Sequence, residues 1–531
     1  MQRFSRLLDE LAFTPSRNGK LALMTDYFRE VPDPDRGYAL AALTDGLPLR
    51  IPLRRILSGL IAERMDPVLY QLSRDFVGDT AETVALLWPD RPVAADLDGG
   101  PTLGALVAAL VSTPPAGLPQ LVAGTLDRLD PRGRWAFLKL VGGAPRVGVS
   151  ARLAKAAVAA AGGRDIGEIE EIWHALKPPY RELFAWIRGD APRPDAEGRA
   201  VFRPLMLSHP LEEADLPSIR PAEFVAEWKW DGIRVQLAAC AGEARLFSRT
   251  GDDISGSFPE IVEAFAGRDV TVDGELLVLR DRVVAPFNDL QQRLNRKVVS
   301  RRMLADFPAH VRLYDILTLG ARDLRLAAFT ERRRELEAWH AASPPARSDL
   351  SEIVPFADLA TLTRIRDEAR AAGIEGLMLK RAASAYLAGR PKGHWYKWKR
   401  AALTLDCVLM YAQRGSGKRS SLYSDYTFGV WREAEGGPEL VPVGKAYSGF
   451  TDEELKRLDQ FIRRNTTETF GPVRAVRPEL VLEIAFDAVQ ASARHKSGVA
   501  MRFPRIHRIR WDKPAGEADR IETIKAMVGA P

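Results

Sequence analysis

The spacing of hydrophobic residues predicts that the first part of the chain is helical. From residue 1 to about 190, apolar residues recur three or four positions apart, as in LSGLIAERMDPVLYQLSRDFV and ARLAKAAVAAA. This spacing is typical of helices that bury one face, and Pro-rich segments such as STPPAGLP interrupt it. We therefore predict an all-helical domain over residues 1–195.

The pattern changes after a segment rich in proline and charge, RGDAPRPDAEGRAVFRP. Alternation in FVAEWKWDGIRVQLAA, DVTVDGELLVL, HVRLYDILTL and GIEGLMLKRA predicts an α+β domain with antiparallel sheets over residues 203–400. Beyond it, short strands such as DCVLMYAQ and YTFGVWRE are divided by Gly-rich turns, with one helical stretch at TDEELKRLDQFIRRN. These strands predict a small β-barrel, such as an OB-fold, over residues 401–531.

Composition and charge narrow the class of protein. A length of 531 residues favours several domains over one core, and the formal net charge of +6 suits a polyanionic partner without requiring one. Only two cysteines, Cys240 and Cys407, are present, which excludes a disulfide framework and a four-cysteine zinc site. The first residues lack the apolar core of a signal peptide, and no apolar stretch approaches membrane-spanning length. We expect a cytoplasmic protein without a membrane partner.

The segment EWKWDGIR carries the first candidate chemistry. Side chains alternate along a strand, so Glu227 and Lys229 share one face while the two tryptophans pack on the other. The Asp-Gly pair then turns the chain and presents the lysine at the edge of a pocket. For this segment by itself, the alternative is a surface hairpin closed by an Asp-Gly turn.

Two further strands place like charges on one face. In VDGEL, Asp273 and Glu275 form a carboxylate pair that could hold a divalent cation or ribose hydroxyls, and the alternative is a solvated acidic face. In WYKWK, Lys397 and Lys399 point the same way, and the alternative is a pair of surface lysines beside a core strand.

In EGLMLK, Glu375 and Lys380 lie five positions apart, which on a regular strand puts their side chains on opposite faces and not in one site. We therefore expect Glu375 to enter the site from the turn after Gly373.

Seven segments of the chain occur in the order of a known motif series. They are KWDGIR, SRTG, VDGEL, LYDIL, EGLMLK, WYKWK and RFPRIHRIRWDK. In this order and spacing they closely resemble the motifs of ATP-dependent DNA ligases, although each is weak singly. GDTAET and PRVGVSARLAKAA resemble parts of the helical DNA-binding domain of these enzymes, and VGKAYSGFTDEEL resembles their OB domain. GSGK is not a P-loop, because Ala412 and Arg419 stand where that motif needs Gly and Ser or Thr.

The resemblance implies an ATP-dependent DNA ligase with a helical DNA-binding domain, an adenylation (nucleotidyltransferase) domain and an OB-fold. Such an enzyme adenylates its own lysine, here Lys229, passes the AMP to the 5′-phosphate of nicked double-stranded DNA and seals the nick. ATP is the AMP donor and Mg²⁺ is the metal. The enzyme is expected to be monomeric and to act in DNA repair, with protein partners that the sequence does not disclose.

The resemblance also implies roles for individual residues. Glu227 contacts the adenine edge, Tyr314 stacks on its ring, and Arg249 meets a phosphate. Glu275 lies near the ribose or the metal, and Glu375 is a metal ligand. Further residues are expected at the nucleotide and its phosphates: Arg234, Lys380, Arg390, Lys397, Lys399, Arg510 and Lys513.

The chemistry requires a neutral amine at Lys229. A free lysine has a pKa of about 10.4, so it is almost wholly protonated at neutral pH and cannot attack the α-phosphate of ATP. Partial burial beside cations would lower the pKa of the ammonium. The expected cations also neutralise phosphate charge, and they are Mg²⁺, Arg234, Lys380, Lys397 and Lys399.

The last motif implies domain movement. By resemblance, Arg510, Asp512 and Lys513 swing onto the active site for the first step, orient pyrophosphate for departure and then withdraw. The OB domain then turns another face to the DNA. Together with the helical domain it would close a positive ring that grips backbone phosphates without reading sequence.

Three other functions would account for part of this pattern. An RNA ligase or an mRNA-capping nucleotidyltransferase shares the K-x-D-G lysine and an OB domain, but the long helical domain and the R-x-D-K ending favour a DNA ligase. An NAD-dependent ligase usually carries a four-cysteine zinc site, which this chain lacks. If the chain were a non-catalytic DNA-binding relative, we would expect its catalytic residues to have been replaced. All of these residues are present: Lys229, Glu275, Glu375, Lys397 and Lys399.

Overall fold

The computed structural model describes residues 1–49, 51–89, 100–143, 145–196, 198–294, 296, 299–369, 374–400, 402–415, 422–492 and 495–528. Gly373 and most of the GSGK segment lie outside these ranges. Over the ranges given, no helix is both long enough and apolar enough to cross a bilayer.

The chain forms two compact units. One contains Met1–Gly163, Pro178–Arg188 and Ala402–Ala530, and the other contains Arg164–Lys177 and Gly189–Ala401. A short segment from the predicted helical part thus packs with the central region. The domain boundaries drawn from the sequence stay predictions.

The region before residue 190 is helical, as predicted. Ser16, Asp130 and Ser150 each accept a backbone N–H bond at a helix start, a contact that contributes about 1 kcal/mol. The helices are α1 (Gln2–Phe13), α2 (Arg17–Glu30), α3 (Asp35–Leu43), α4 (Leu53–Arg64), α5 (Pro67–Val77), α6 (Thr80–Leu87), α7 (Leu103–Ser112), α8 (Leu118–Arg128), α9 (Pro131–Val141), α10 (Ala151–Ala161), α11 (Ile166–Ile172) and α12 (Arg181–Arg188).

The central region contains strands and helices, which confirms the predicted α+β class. Its strands are β1 (His209–Pro210), β2 (Phe224–Trp230), β3 (Ile233–Cys240), β4 (Glu243–Ser248), β5 (Val270–Arg280), β6 (Val283–Val284), β7 (Ala309–Leu319), β8 (Arg322–Asp323), β9 (Ser348–Leu350), β10 (Ile353–Val354), β11 (Ile374–Arg381) and β12 (Trp395–Lys399). Its helices are α13 (Pro259–Phe265), α14 (Phe287–Gln291), α15 (Arg301–Asp306), α16 (Phe329–Ala342) and α17 (Leu359–Glu368).

These strands form two mainly antiparallel sheets. The seven-stranded sheet has the order β4-β3-β5-β7-β8, with β6 beside β5 and β9 beside β7. The five-stranded sheet has the order β1-β12-β11-β2-β10. Among the described strands of this region, only β1 with β12 and β7 with β9 pair in parallel. One apolar core joins the larger sheet to α13 and α16, and another joins the smaller sheet to α17.

The C-terminal region forms a curled half-barrel that is consistent with the predicted OB-fold. The long first strand pairs with three other strands, which bends the sheet around one apolar core. The helical stretch begins with a capping box between Thr451 and Glu454. The elements are β13 (Leu403–Arg414), β14 (Tyr423–Arg432), β15 (Glu439–Ala446), α18 (Asp452–Asn465), β16 (Thr466–Phe470), β17 (Val473–Val476), β18 (Val481–Phe486), β19 (Ala488–Ala491), β20 (Val499–Arg502), β21 (Arg505–Arg510) and α19 (Ile521–Ala526).

A fully buried ion pair ties α16 to β7. Arg332 donates to both oxygens of Asp315, at 2.8 and 2.9 Å, and neither side chain is exposed. The guanidinium also donates to the carbonyls of Ala327 and Ser384, at 2.6 and 2.9 Å. The guanidinium of Arg332 therefore finds most of its hydrogen-bond acceptors inside the protein, in Asp315 and the two carbonyls.

Replacing Arg332 by leucine should lower the free energy of unfolding by about 3–5 kcal/mol, because Asp315 would stay buried without its partner. Urea unfolding monitored by circular dichroism measures the loss. Arg334→Leu, on the exposed face of the same helix, should cost less than about 0.5 kcal/mol. Similar losses for the two variants would contradict the importance of the buried pair.

Candidate active site

Lys229 lies where the chain passes from one sheet to the other. Its strand, β2, pairs with β10 and β11, whereas β3, directly after the Asp-Gly turn, pairs with β4 and β5. The surface-hairpin alternative is therefore wrong. A Cβ on Gly232 would lie 2.5 Å from the carbonyl oxygen of Leu276, so the turn passes close to β5. This crossing brings Lys229 near the charged residues of the larger sheet.

A bulge in β11 brings Glu375 to Lys229. The register with β2 shifts between Ile374 and Gly376, which makes Glu375 the extra residue. Its carboxylate bonds the Lys229 ammonium and lies 3.4 Å from the Nζ of Lys399. Burial favours a higher pKa for the Glu375 carboxyl, but the charges of Lys229 and Lys399 hold that pKa well below its usual range.

The bulge is held by a glycine and an arginine. Gly376 has a φ of +148°, and a Cβ there would lie 2.2 Å from the carbonyl oxygen of Trp398. The Arg400 backbone N–H donates to the carbonyl of Glu375 at 3.2 Å, and its guanidinium donates to that of Ile374 at 3.0 Å. We expected Glu375 to enter from a turn, but the structure places it within β11. The bulge there lets Glu375 reach the site although it lies an odd number of positions from Lys380.

Gly376→Ala should move Glu375 and reduce formation of a covalent nucleotide adduct about tenfold to a hundredfold, because the added Cβ collides with backbone. Gel quantification of adduct formed from labelled ATP measures the effect. The control is Gly436→Ala, whose Cβ meets nothing within 4 Å. A Gly376→Ala protein with unchanged adduct formation would mean that the bulge does not position Glu375 for the reaction.

Glu227 and Lys380 form a buried ion pair beside aromatic rings. Glu227 is 2% exposed, Lys380 is 1% exposed, and the Lys380 Nζ donates to the Glu227 Oε2 at 2.8 Å. The Lys380 ammonium also lies 4.4 Å from the ring centroid of Tyr314 and 4.7 Å from that of Trp395. The structure thus places Glu227, Tyr314 and Lys380 together, with Lys380 holding the carboxylate.

Arg234 is anchored by three segments of the chain. Its guanidinium donates to Asp273 at 2.7 Å and to the Met206 carbonyl at 2.6 Å, and it lies 3.1 Å from the Tyr386 hydroxyl. Asp273 also accepts from Tyr386 at 2.5 Å and from Gln236 at 3.0 Å. This network leaves the Arg234 side chain little freedom, since its carboxylate partner is fully buried.

Glu275 contributes a second carboxyl group near Lys229. It lies opposite Arg234 in the register of β3 and β5. Burial raises the pKa of the Glu275 carboxyl to about 7, although the charges of Lys229 and Arg234 favour a lower pKa, and those of Glu375 and Asp231 favour a higher one. Over the described residues no group of three or more potential metal-ligating side chains occurs.

Lys397 belongs to a cluster of cations with Lys399, Arg249, Arg390 and Lys229. Burial lowers the pKa of Lys397, and the positive charges of Lys399, Arg249, Arg390 and Lys229 lower it further. Cations predicted from four segments of the central region are therefore close enough for the others to influence the pKa of Lys397. Their combined charge is suited to binding several phosphate groups.

The predicted residues of the last motif bind within the half-barrel. The Lys513 Nζ donates to the Asp406 Oδ2 at 2.8 Å, and the Arg510 Nη1 lies 3.6 Å from the same oxygen. Arg510 also pairs with Asp512 at 2.9 Å. Asp406 therefore holds both cations, and the sequence did not indicate this partner.

Known protein families match both the central and the C-terminal regions. The family described as "ATP dependent DNA ligase domain" matches residues 205–399, and "ATP dependent DNA ligase C terminal region" matches residues 419–513. A probable DNA ligase of Koribacter versatilis (strain Ellin345) is 34% identical over 458 residues, covering 78% of this chain and 75% of that protein. The chain belongs to the ATP-dependent DNA ligase family. Its activity is that of an ATP-dependent DNA ligase.

A second relative and a solved structure extend this result. A probable DNA ligase of Anaeromyxobacter sp. (strain Fw109-5) is 34% identical over 452 residues, covering 82% of this chain and 84% of that ligase. The solved structure called "Pmar-Lig_PreS3" has a TM-score of 0.58 at 16% identity and covers 96% of this chain and 99% of its own. That likeness supports the fold through the helical, adenylation and OB regions of the ligase.

Several residues of the ligase site were not assigned from the sequence. The sequence indicates Asp273 only as part of a carboxylate pair for a cation or ribose hydroxyls, whereas in the structure it accepts from Arg234 and from Tyr386, which stands in no motif. Arg332 and Arg333 come from TERRRELE, where two arginines share the buried side of α16 with Leu336. The available signal is that Arg332 and Arg333 precede Leu336 at helical spacing, because buried arginines require partners.

Proposed function

We propose that Lys229 is the nucleophile of a three-step ligation of nicked duplex DNA. Its Nζ attacks the α-phosphorus of ATP, the bond to the β-phosphate oxygen breaks, and pyrophosphate leaves. An oxygen of the DNA 5′-phosphate then attacks the lysyl-AMP phosphorus and releases the amine. Finally the 3′-hydroxyl attacks the adenylated 5′-phosphate, gives up its proton, and AMP leaves.

The observation that carries this proposal is the contact of Lys229 with Glu375 amid the cation cluster. An ammonium has no lone pair for attack, so it must lose a proton and release Glu375. The Glu375 carboxylate holds Nζ in the ammonium state, but its low pKa makes it a weak base, so the proton passes to solvent. Lys397 and Lys399 then face the phosphates, where their charge stabilises the transition state.

The nucleotide base belongs beside Glu227. A buried carboxylate held at one oxygen by Lys380 keeps the other oxygen for the amino group of adenine. The ring of Tyr314 adjoins Lys380 and offers a face on which adenine stacks. We assign Arg234 to the ribose and α-phosphate side, and Arg249 and Arg390 to phosphates.

Glu275 and Glu375 fit a magnesium ion. Mg²⁺ in nucleotide enzymes is typically bound by one or two carboxylates together with phosphate oxygens and water, and these two carboxyl groups are close enough to influence each other. When bound, the ion would neutralise phosphate charge. Its site needs no third protein carboxylate.

We further propose that the helical region and the half-barrel bind the duplex through backbone phosphates, and that the monomeric enzyme serves DNA repair in the cytoplasm. The net charge of +6 favours contacts with the phosphate backbone. Sealing a nick also does not require the enzyme to recognise a particular base sequence. Arg510 and Lys513 are assigned to the β- and γ-phosphates during the first step.

Incubation with ATP labelled at the α-phosphate tests the proposal. A labelled protein should appear with ATP and not with labelled NAD⁺, and unlabelled pyrophosphate should discharge it. The discharged label should reappear as ATP, because the first step is reversible. Sealing of nicked DNA but not of nicked RNA would separate the DNA ligase from the RNA ligase alternative. Absence of any adduct, with intact DNA binding, would refute the proposed chemistry.

A further inference from the structure

Arg333 connects the surface of α16 with the buried carboxylate of Glu227. Its guanidinium donates to Glu337 at 2.6 Å and to the carbonyl of Ser351 at 2.8 Å. Its Nη1 lies 3.5 Å from the Glu227 Oε1. Arg333 lies outside the seven motif segments, yet it is the second cation on this carboxylate after Lys380.

The two oxygens of Glu227 are held differently. Oε2 accepts from Lys380 at 2.8 Å, a normal charge-assisted bond. Oε1 faces Arg333 at 3.5 Å, the outer limit of a hydrogen bond. Arg333 therefore acts on Oε1 mainly through its charge and leaves that oxygen free to accept a hydrogen bond from a ligand.

We propose that Arg333 is a specificity-determining residue that keeps Glu227 ionised and oriented, so that the pocket selects a 6-aminopurine over a 6-oxopurine. An ionised carboxylate only accepts hydrogen bonds, so it pairs with the amino group of adenine and repels the carbonyl oxygen of hypoxanthine. A protonated carboxyl gains a donor that suits the 6-oxo group. This inference rests on the proposed position of adenine beside Glu227.

The charges around Glu227 support this role. Burial raises the pKa of the Glu227 carboxyl, and Lys380 and then Arg333 oppose that rise, whereas Asp315 favours it. The charge of Asp315 is compensated by Arg332, and that of Glu337 lies at the surface on the far side of Arg333. Without Arg333, a larger fraction of Glu227 should be protonated at a given pH, and raising the pH should restore the ionised form.

Adduct formation from labelled ATP and labelled inosine triphosphate tests this inference across the neutral to alkaline range. In Arg333→Met, the ratio of kcat/KM for ATP to that for inosine triphosphate should fall about tenfold to a hundredfold, the worth of one hydrogen bond to a charged group. Most of the change should be a higher KM for ATP. The lost selectivity should return as the pH rises, whereas Arg334→Met should match wild type throughout.

Further variants separate the role of charge from that of folding. Arg333→Lys keeps the positive charge and should retain most of the selectivity. Arg333→Gln keeps a donor for the Ser351 carbonyl, so it should fold and still lose selectivity if the methionine variant unfolds. An unchanged ratio in folded charge-deleting variants, or equal losses with both nucleotides at every pH, would overturn the inference. A wild-type protein that forms no adduct with ATP would instead reject the proposed function itself.

Discussion

Replacing Lys229 by alanine is expected to abolish the protein–AMP adduct and to reduce nick sealing by at least about a thousandfold, because no other group takes over a lost nucleophile efficiently. DNA binding should stay close to wild type, since Lys229 is one cation among several in the cluster. Labelled ATP on denaturing gels measures the adduct, and a gel-shift titration with nicked duplex measures binding.

Two controls sharpen this expectation. Lys229→Arg keeps a positive charge beside Glu375 but should fail as fully as alanine, because a guanidinium stays protonated and cannot attack. Lys456→Ala, on the exposed side of α18, should seal nicks normally. An acid-labile, alkali-stable AMP adduct in Lys229→Ala would place the nucleophile on another residue.

Alternation along strands explains why much of the site was predictable. In β2, parity put Glu227 and Lys229 on one face, and both meet charged partners there. In β5, alternation predicts that Asp273 and Glu275 share one face, and in the structure Asp273 pairs with Arg234 while Val270 and Val272 lie in the apolar core. Period-two patterning is local, so it can be read without knowing which strands pair.

The bulge and the partners of the buried ions could not be predicted in the same way. Glu375 reaches Lys229 only because the register of β11 shifts against β2, and register is a property of two strands. Arg333 finds Glu227 across 106 positions of sequence. Opposite parity of Glu375 and Lys380 did signal that a regular strand was wrong, but it did not say where the irregularity lay.

The partner of Arg510 and Lys513 in the last motif could not be predicted from the sequence either. Both cations pair with Asp406, which lies far away along the chain at the start of β13. While both cations form ion pairs with Asp406, part of their charge is already compensated. If they act on the β- and γ-phosphates, those phosphates must compete with Asp406 or share the cations with it. The contribution of these residues should therefore be confined to the step that has a pyrophosphate.

The variant Arg510→Ala with Lys513→Ala should slow adenylation of Lys229 by about a hundredfold to a thousandfold, the usual cost of removing charged groups that stabilise a transition state. It should seal a nick carrying a preformed 5′-AMP at a rate much closer to wild type, because that step contains no pyrophosphate. Glu375→Ala should damage both reactions if Glu375 is a metal ligand. Single-turnover rates on the two substrates give the comparison.

Adding Asp406→Asn removes the carboxylate charge left without its partners, so that a loss due only to a destabilised half-barrel would be relieved. Equal losses in adenylation and in sealing of pre-adenylated DNA, unrelieved by Asp406→Asn, would mean that the segment supports duplex binding, and the movement of the OB domain onto the nucleotide would have to be abandoned.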